Sequence, residues 1–460
     1  LRLRTDARPQ LPRKVRHSWS RMAFFQLSQR SLTLSLPLHS SMYLLPFRVA
    51  VLLPQEQAGS LSPPVLVLLG ASVAAFLIAV LSLLAYSALL PSRNYVRAGR
   101  TALNTELLQR VPALSEVFSP PFWAFNAYIQ TLLYLFSEIA QLLLWRHFKR
   151  QVLVMPDGGS VALDWWSDSE TRDLPAEAPV IIVQHHMVGS SRHHCWMARC
   201  AWRRHGFRVV CAVRRGHLGP LTSPRFNLLG SVEDLRLQVD AVRRRYPDAP
   251  LCMVGYSAGT ATQLRYLGEE GAASPIVAAT TTSFAYNSTP GYQGKPSAFE
   301  RLNWLADLYV RSHVKSLFLR QNRALLQHIP GFHACLRAKR LSDIRDLCFR
   351  MEGCASMEEL DAQNPQEVFS SIRIPLLSIQ AADDPVCVIA NVVDWAHVYD
   401  EPQDRILVLT NRGGHCAHFE GSWWPKALSF ADRVALEYLH AVLDIRREQG
   451  AAVVSTPRAR

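Results

Sequence analysis

From residue 150 onward, short β-branched runs alternate with longer helical patterns, and this alternation constrains the fold more than any other feature of the chain. The runs are 180–183, 208–211, 251–254, 276–279, 376–379 and 406–409. Helix-like stretches lie near 192–204, 232–246, 258–270, 388–400 and 425–445, and Ser231 followed by Asp234 gives one of them an N-cap and a first-turn acid. Strand and helix in alternation predict an α/β domain over 151–447, a mostly parallel central sheet with helices on both faces. Residues 285–372 break the rhythm with helix-rich, mixed-polarity sequence, too long for a connection, and are expected to form a helical lid inserted between two strands. Residues 448–460 read as a tail.

Upstream the texture is different. Residues 65–90 run for 26 positions without a charge between Pro63-Pro64 and Pro91. As a helix they would extend about 39 Å, enough to cross a hydrocarbon layer of roughly 30 Å, so an N-terminal transmembrane helix is expected there. Arg93, Arg97, Arg100 and Arg110 follow it closely whereas only Arg48 stands near its other end, which favours a single-pass protein with a cytosolic C-terminal domain. Residues 1–64 read as a basic leader without a period. Residues 91–150 read as a linker with an amphipathic docking helix, because Asn126, Gln130, Glu138 and Gln141 interrupt the apolar stretch 122–145.

The net charge of +13 excludes little. Nine of the 50 Lys and Arg, and one acid, fall in the first 50 residues, leaving +5 for everything after; most of the surplus sits in the leader and not on a folded domain, so no nucleic-acid partner is expected. All nine cysteines lie beyond residue 190, odd in number and mostly inside apolar runs, as free thiols would.

Gly255-Tyr256-Ser257-Ala258-Gly259 follows one apolar run and opens a helical one, satisfying both the G-x-S-x-G pattern and the strand–turn–helix setting it requires. Small residues at Gly255 and Gly259 permit the sharp turn that exposes Ser257 at a strand end. A serine hydroxyl needs a base and a group to orient that base, which in this setting follow in the order carboxylate, then histidine. Asp383-Asp384-Pro385 comes just after the run ending at Gln380, and His415 just after the run ending at Thr410. Asp384 is preferred to Asp383 because a turn before proline would aim it away from the strand. The oxyanion requires two backbone donors, and Ala258, after the serine, and Met187, in the loop after 180–183, are the candidates. His185, His186, His193, His194, Cys195 and Cys200 crowd that loop, but their spacing matches no standard zinc pattern, so neither metal nor other cofactor is expected.

The segments PPFWAFNAYIQTL, MPDGGSVALDWW, HHMVGSS, VRRGHLGPLTSPRFN with SVEDL, GYSAGT, AADDPV and GGHCAHFEG stand in the order found in the membrane-anchored α/β-hydrolase-domain proteins of the AB hydrolase superfamily, type 4 family, and from Pro121 onward the chain resembles them. The resemblance implies an α/β-hydrolase fold, an N-terminal anchor and hydrolysis of carboxylic esters, with lipids such as acylglycerols or phospholipids as substrates of some members. It also puts the triad on Ser257, Asp384 and His415. Two departures stand out: His185-His186 replaces the usual His-Gly at the start of the oxyanion loop, and Ser257-Ala258-Gly259-Thr260 replaces Ser-Met-Gly-Gly. The expected function is therefore a membrane-associated serine hydrolase acting on lipid or other esters through an acyl-serine. A catalytically weak scaffold, motivated by His186, and an acyltransferase using the same triad are the alternatives.

Overall fold

The computed structural model describes residues 72–74, 76–77, 80–81, 94–144, 148–167, 174–284 and 304–455. The chain divides into two units, 1–83 and 84–460. In the first, the seven described residues are helical, and the leader and the expected transmembrane helix otherwise lie outside the described residues. Among the described residues no helix is long and apolar enough to cross a membrane.

Among its described residues the second unit is built on nine strands: β1 (Tyr95–Ala98), β2 (Phe148–Val154), β3 (Ser160–Trp166), β4 (Val180–Gln184), β5 (Arg208–Val213), β6 (Leu251–Tyr256), β7 (Ile276–Thr282), β8 (Leu376–Ala381) and β9 (Arg405–Thr410). They form one sheet in the order β1-β9-β8-β7-β6-β4-β5-β3-β2. The six strands from β4 to β9 are mutually parallel, while β1 and the β2–β3 hairpin join antiparallel at the two edges. All six expected strand runs are these parallel ones. Covered on both faces, they read as continuous β-branched segments, and β4, β6, β8 and β9 are buried at every position.

Among the described residues seven longer helices accompany the sheet: α1 (Ala102–Arg110), α2 (Ala127–Leu144), α3 (Cys195–His205), α4 (Val232–Arg245), α5 (Ala258–Glu270), α6 (Trp304–Val314) and α7 (Phe430–Ser455). The Ser231 side chain caps α4 by accepting from the Asp234 N–H, as expected. The expected helix at 388–400 is two short pieces, Ile389–Val393 and Ala396–Tyr399, and α7 runs past 447 as far as Ser455. All nine cysteines are free thiols, eight of them buried.

Between β7 and β8 the described chain is helical: α6 passes into a wider π-type turn, Lys315–Arg320, and then into short helices. Val314, Phe318, Phe332, Ile344 and Met351 form an apolar cluster with Phe226, separate from the main core, and Met187 and Val188 pack against it.

One buried ion pair ties the loop after β5 to α4. Arg215 donates to both carboxylate oxygens of Asp234 at 2.7 and 2.8 Å, and both side chains are almost wholly buried. Arg215→Ala would strand the buried Asp234 carboxylate, so it is expected to cost about 3–5 kcal/mol in urea unfolding. Ser231→Ala, which removes only the cap, should cost about 1 kcal/mol.

Candidate active site

The parallel registers align the C-terminal ends of four strands. Gln184 of β4 pairs with Gly255 of β6, and Ala381 of β8 with Thr410 of β9, so the loops after these strands open on one edge of the sheet. Ser257, Asp384, His415 and Met187 all come from those loops.

Ser257 sits between β6 and α5 with φ 48°, a left-handed conformation rare for a residue with a side chain and characteristic of a strained turn. Gly259 lets α5 start this close to β4, since a Cβ there would collide with the carbonyl oxygens of Gln184 and His185. The same approach brings Ala258, the first residue of α5, beside the loop that carries Met187.

His415 bridges the other two expected residues. Its Nε2 lies 2.8 Å from Ser257 Oγ, and its Nδ1 lies 3.0 Å from each carboxylate oxygen of Asp384. Asp384 is buried and its Oδ1 accepts from the Val386 and Cys387 N–H groups at 2.8 and 2.9 Å. Gln380 Nε2 donates to its other oxygen at 3.2 Å. Burial alone would lower the His415 pKa, but the Asp384 carboxylate overcomes it and holds the imidazole well above its ordinary 6.5. Asp383 takes a different place: its Oδ1 accepts from the Gly414 N–H at 3.0 Å, and burial raises its pKa to about 7.

Residues of α2 hold this arrangement from the side; the sequence marked Gln130 and Gln141 only as interruptions of an apolar run and did not mark Thr131. Thr131 Oγ accepts from the His415 N–H at 3.1 Å, and Gln130 binds Phe419 through both its N–H and its carbonyl. Gln141 accepts from Trp196 N–H at the start of α3. Gly414 has φ 64° and lies against α2 so closely that a Cβ would meet the carbonyl oxygen of Ala127 at 2.6 Å. Cys387, also without an expected role, hydrogen-bonds His415 through its thiol, whose pKa burial pushes up to about 11.

His186 was expected to intrude on the oxyanion loop. Its buried ring instead pairs with Glu138 of α2, 5.9 Å from the ring of Tyr134. Burial would raise the Glu138 pKa, and the His186 imidazole more than offsets it.

Two clusters among the described residues bring three metal-ligating groups within 4.8 Å of one another: Glu138, His186 and His193, and Asp384, Cys387 and His415. In the first, the Ser190 N–H donates to His193 Nδ1 at 2.7 Å, so the proton sits on Nε2 and the ring is a donor rather than a ligand. The second is the hydrogen-bonded group around His415.

Residues 177–422 match the family described as Hydrolase_4, serine aminopeptidase, S33. Among curated proteins, the chain is 26% identical over 354 residues to the phospholipase ABHD3 of Bos taurus, covering 75% of this chain and 84% of the relative. The human phospholipase ABHD3 is 27% identical over the same shares of both chains. The monoacylglycerol lipase ABHD2 of Danio rerio is 26% identical over 365 residues, covering 74% of this chain and 84% of the relative.

Proposed function

The chain belongs to the Hydrolase_4 (S33-type) family of the AB hydrolase superfamily, as the resemblance implied, and is a serine carboxylic ester hydrolase; on that premise we propose that Ser257, His415 and Asp384 are its triad and fatty-acyl lipid esters its substrates. The observation that carries this reading is the His415 ring spanning Ser257 Oγ and the Asp384 carboxylate at 2.8 and 3.0 Å.

Ser257 Oγ attacks the ester carbonyl carbon while His415 Nε2 takes its proton, and Asp384 holds the Nδ1–H and balances the imidazolium that forms. The oxygen that gains charge is received by the Ala258 and Met187 N–H groups. Collapse breaks the bond to the alcohol, which leaves with the proton from His415, and an acyl-Ser257 remains. Water, deprotonated by the same nitrogen, then releases the carboxylic acid and restores the serine. The raised pKa of His415 suits its second role, since the protonated form is the acid that the leaving alcohol needs.

Two features support a lipid substrate beyond the names of the relatives. The insertion between β7 and β8 puts its apolar cluster against Met187 and Val188, giving a lid with an acyl-compatible underside at the oxyanion loop. On the exposed face of α2, Leu132, Phe136, Ile139 and Leu143 recur at helical spacing, each at least half exposed, and Trp423 and Trp424 stand exposed beside the start of that helix, where Trp423 meets Phe122. Apolar side chains flanked by indoles match a bilayer surface, and α2 then links the lipid phase to the His415 loop on its other face.

Full-length protein incubated with mono-oleoylglycerol or dioleoylphosphatidylcholine vesicles should release oleate, and Phe136→Glu should slow release from vesicles about tenfold or more while sparing a soluble short-chain ester. Release of oleate from neither lipid would overturn the substrate assignment. A new ester formed in place of oleate when an alcohol is added would make the protein a transferase.

A further inference from the structure

Arg214 follows β5 directly and has no part in the triad, yet it is among the most buried cations of the molecule, with 5% of its surface exposed. No carboxylate pairs with it among the described residues. Burial lowers its pKa to about 10, which leaves the guanidinium charged at neutral pH. An unpaired buried cation carries a steep desolvation cost, and its shortest bonds in return lie in the loop after β4.

Arg214 Nη2 donates to the carbonyl oxygen of His186 at 2.6 Å and to that of His185 at 3.1 Å, while Nη1 reaches the Leu228 carbonyl at 3.5 Å. Its backbone N–H meets His185 Nε2 at 3.4 Å. With Nε2 accepting, the His185 proton is on Nδ1, which donates to the His186 carbonyl oxygen at 2.8 Å. The Gly189 N–H adds a further bond to the same oxygen at 3.1 Å. Three donors, one of them a cation, therefore converge on the carbonyl of the peptide that joins His186 to Met187.

In a trans peptide the carbonyl oxygen and the following N–H point in opposite directions. Pinning the His186 oxygen toward the β5 loop thus fixes the Met187 N–H on the far side, away from Arg214. The next carbonyl is held too, since His217 Nε2 lies 2.8 Å from the Met187 oxygen and burial keeps that imidazole neutral, with its pKa near 3. A carbonyl that accepts charge-assisted bonds also polarises its own peptide, which strengthens the N–H as a donor.

We propose that Arg214 is a positioning residue that presets and polarises the Met187 N–H as the oxyanion donor. The inference rests on Ser257 being the nucleophile. Its effect belongs to the transition state, where the carbonyl oxygen of the substrate becomes an anion, so it should be felt in kcat and not in KM.

The test is steady-state hydrolysis of a soluble short-chain ester by the full-length protein. Arg214→Ala is expected to lower kcat by about 10–100-fold, somewhat less than deletion of an oxyanion donor, with KM nearly unchanged. Millimolar guanidinium should restore part of the loss in this variant and none in wild type. If Arg214→Ala does not fold, Arg214→Lys decides: a folded protein with reduced kcat and unchanged KM supports the role, because a lysine cannot span two carbonyls in the same way. Full kcat in either folded variant, a change confined to KM, or a loss in a folded alanine variant that guanidinium leaves untouched would overturn it. Wild-type protein that neither turns over ester nor reacts at Ser257 would instead sink the hydrolase reading itself.

Discussion

Ser257→Ala should reduce ester turnover on the order of a millionfold, to what the oxyanion donors and binding alone provide. Folding should be nearly unaffected. The hydroxyl meets His415 Nε2 at 2.8 Å, and its backbone is held independently by the N–H to Thr282 carbonyl bond at 3.0 Å. Alanine at φ 48° is no worse placed than serine, so the strained turn persists in the variant. A large drop in thermal stability alongside lost activity would point to a structural serine, and retained turnover would remove Ser257 from the chemistry.

Asp384→Asn carries the second largest expected effect, about 10⁴-fold in kcat, because the amide leaves the geometry intact but no longer favours the Nδ1–H tautomer or the imidazolium. The two neighbouring aspartates make a sharp comparison. Asp383 bonds the Gly414 N–H and does not touch His415, so Asp383→Asn, which keeps a carbonyl oxygen for that bond, should leave turnover within a small factor of wild type. The pH profile follows from the direction of the His415 shift. The neutral imidazole is the base, so kcat/KM rises with pH as His415 loses its proton, and since Asp384 holds the pKa well above 6.5, the acid limb should lie above that value. In Asp384→Asn the raising charge is gone while the burial that lowers the pKa remains, so the limb should move to lower pH together with the fall in rate.

What the sequence disclosed follows from where each signal lies. The six parallel strands were legible because burial on both faces demands uninterrupted apolar sequence. The edge strands were not: β2 carries the exposed Lys149 and Arg150 in succession, and β3 buries Asp164, which would read as a break were it not held by Arg150 at 2.7 Å and by the Ser191 hydroxyl at 2.6 Å. Ser257, Asp384 and His415 could be picked out because each closely follows a strand and they recur in a fixed order. The work of α2 could not, because Gln130, Thr131 and Glu138 act on Phe419, His415 and His186, which lie 48 or more residues further along the chain. Polar residues spaced through an otherwise apolar helix were the only trace of that role. His186 shows the limit from the other side: a bulky residue in place of glycine looked obstructive until Glu138 supplied a partner for its ring.

The proposed mechanism stands or falls on whether Ser257 is an activated nucleophile. Labelling with a fluorophosphonate probe measures this directly, since the probe needs the serine, its base and the oxyanion donors but no particular substrate. Wild-type protein should label, and Ser257→Ala should not. Unlabelled wild type that is well folded, or labelling that persists in the alanine variant, would contradict the mechanism.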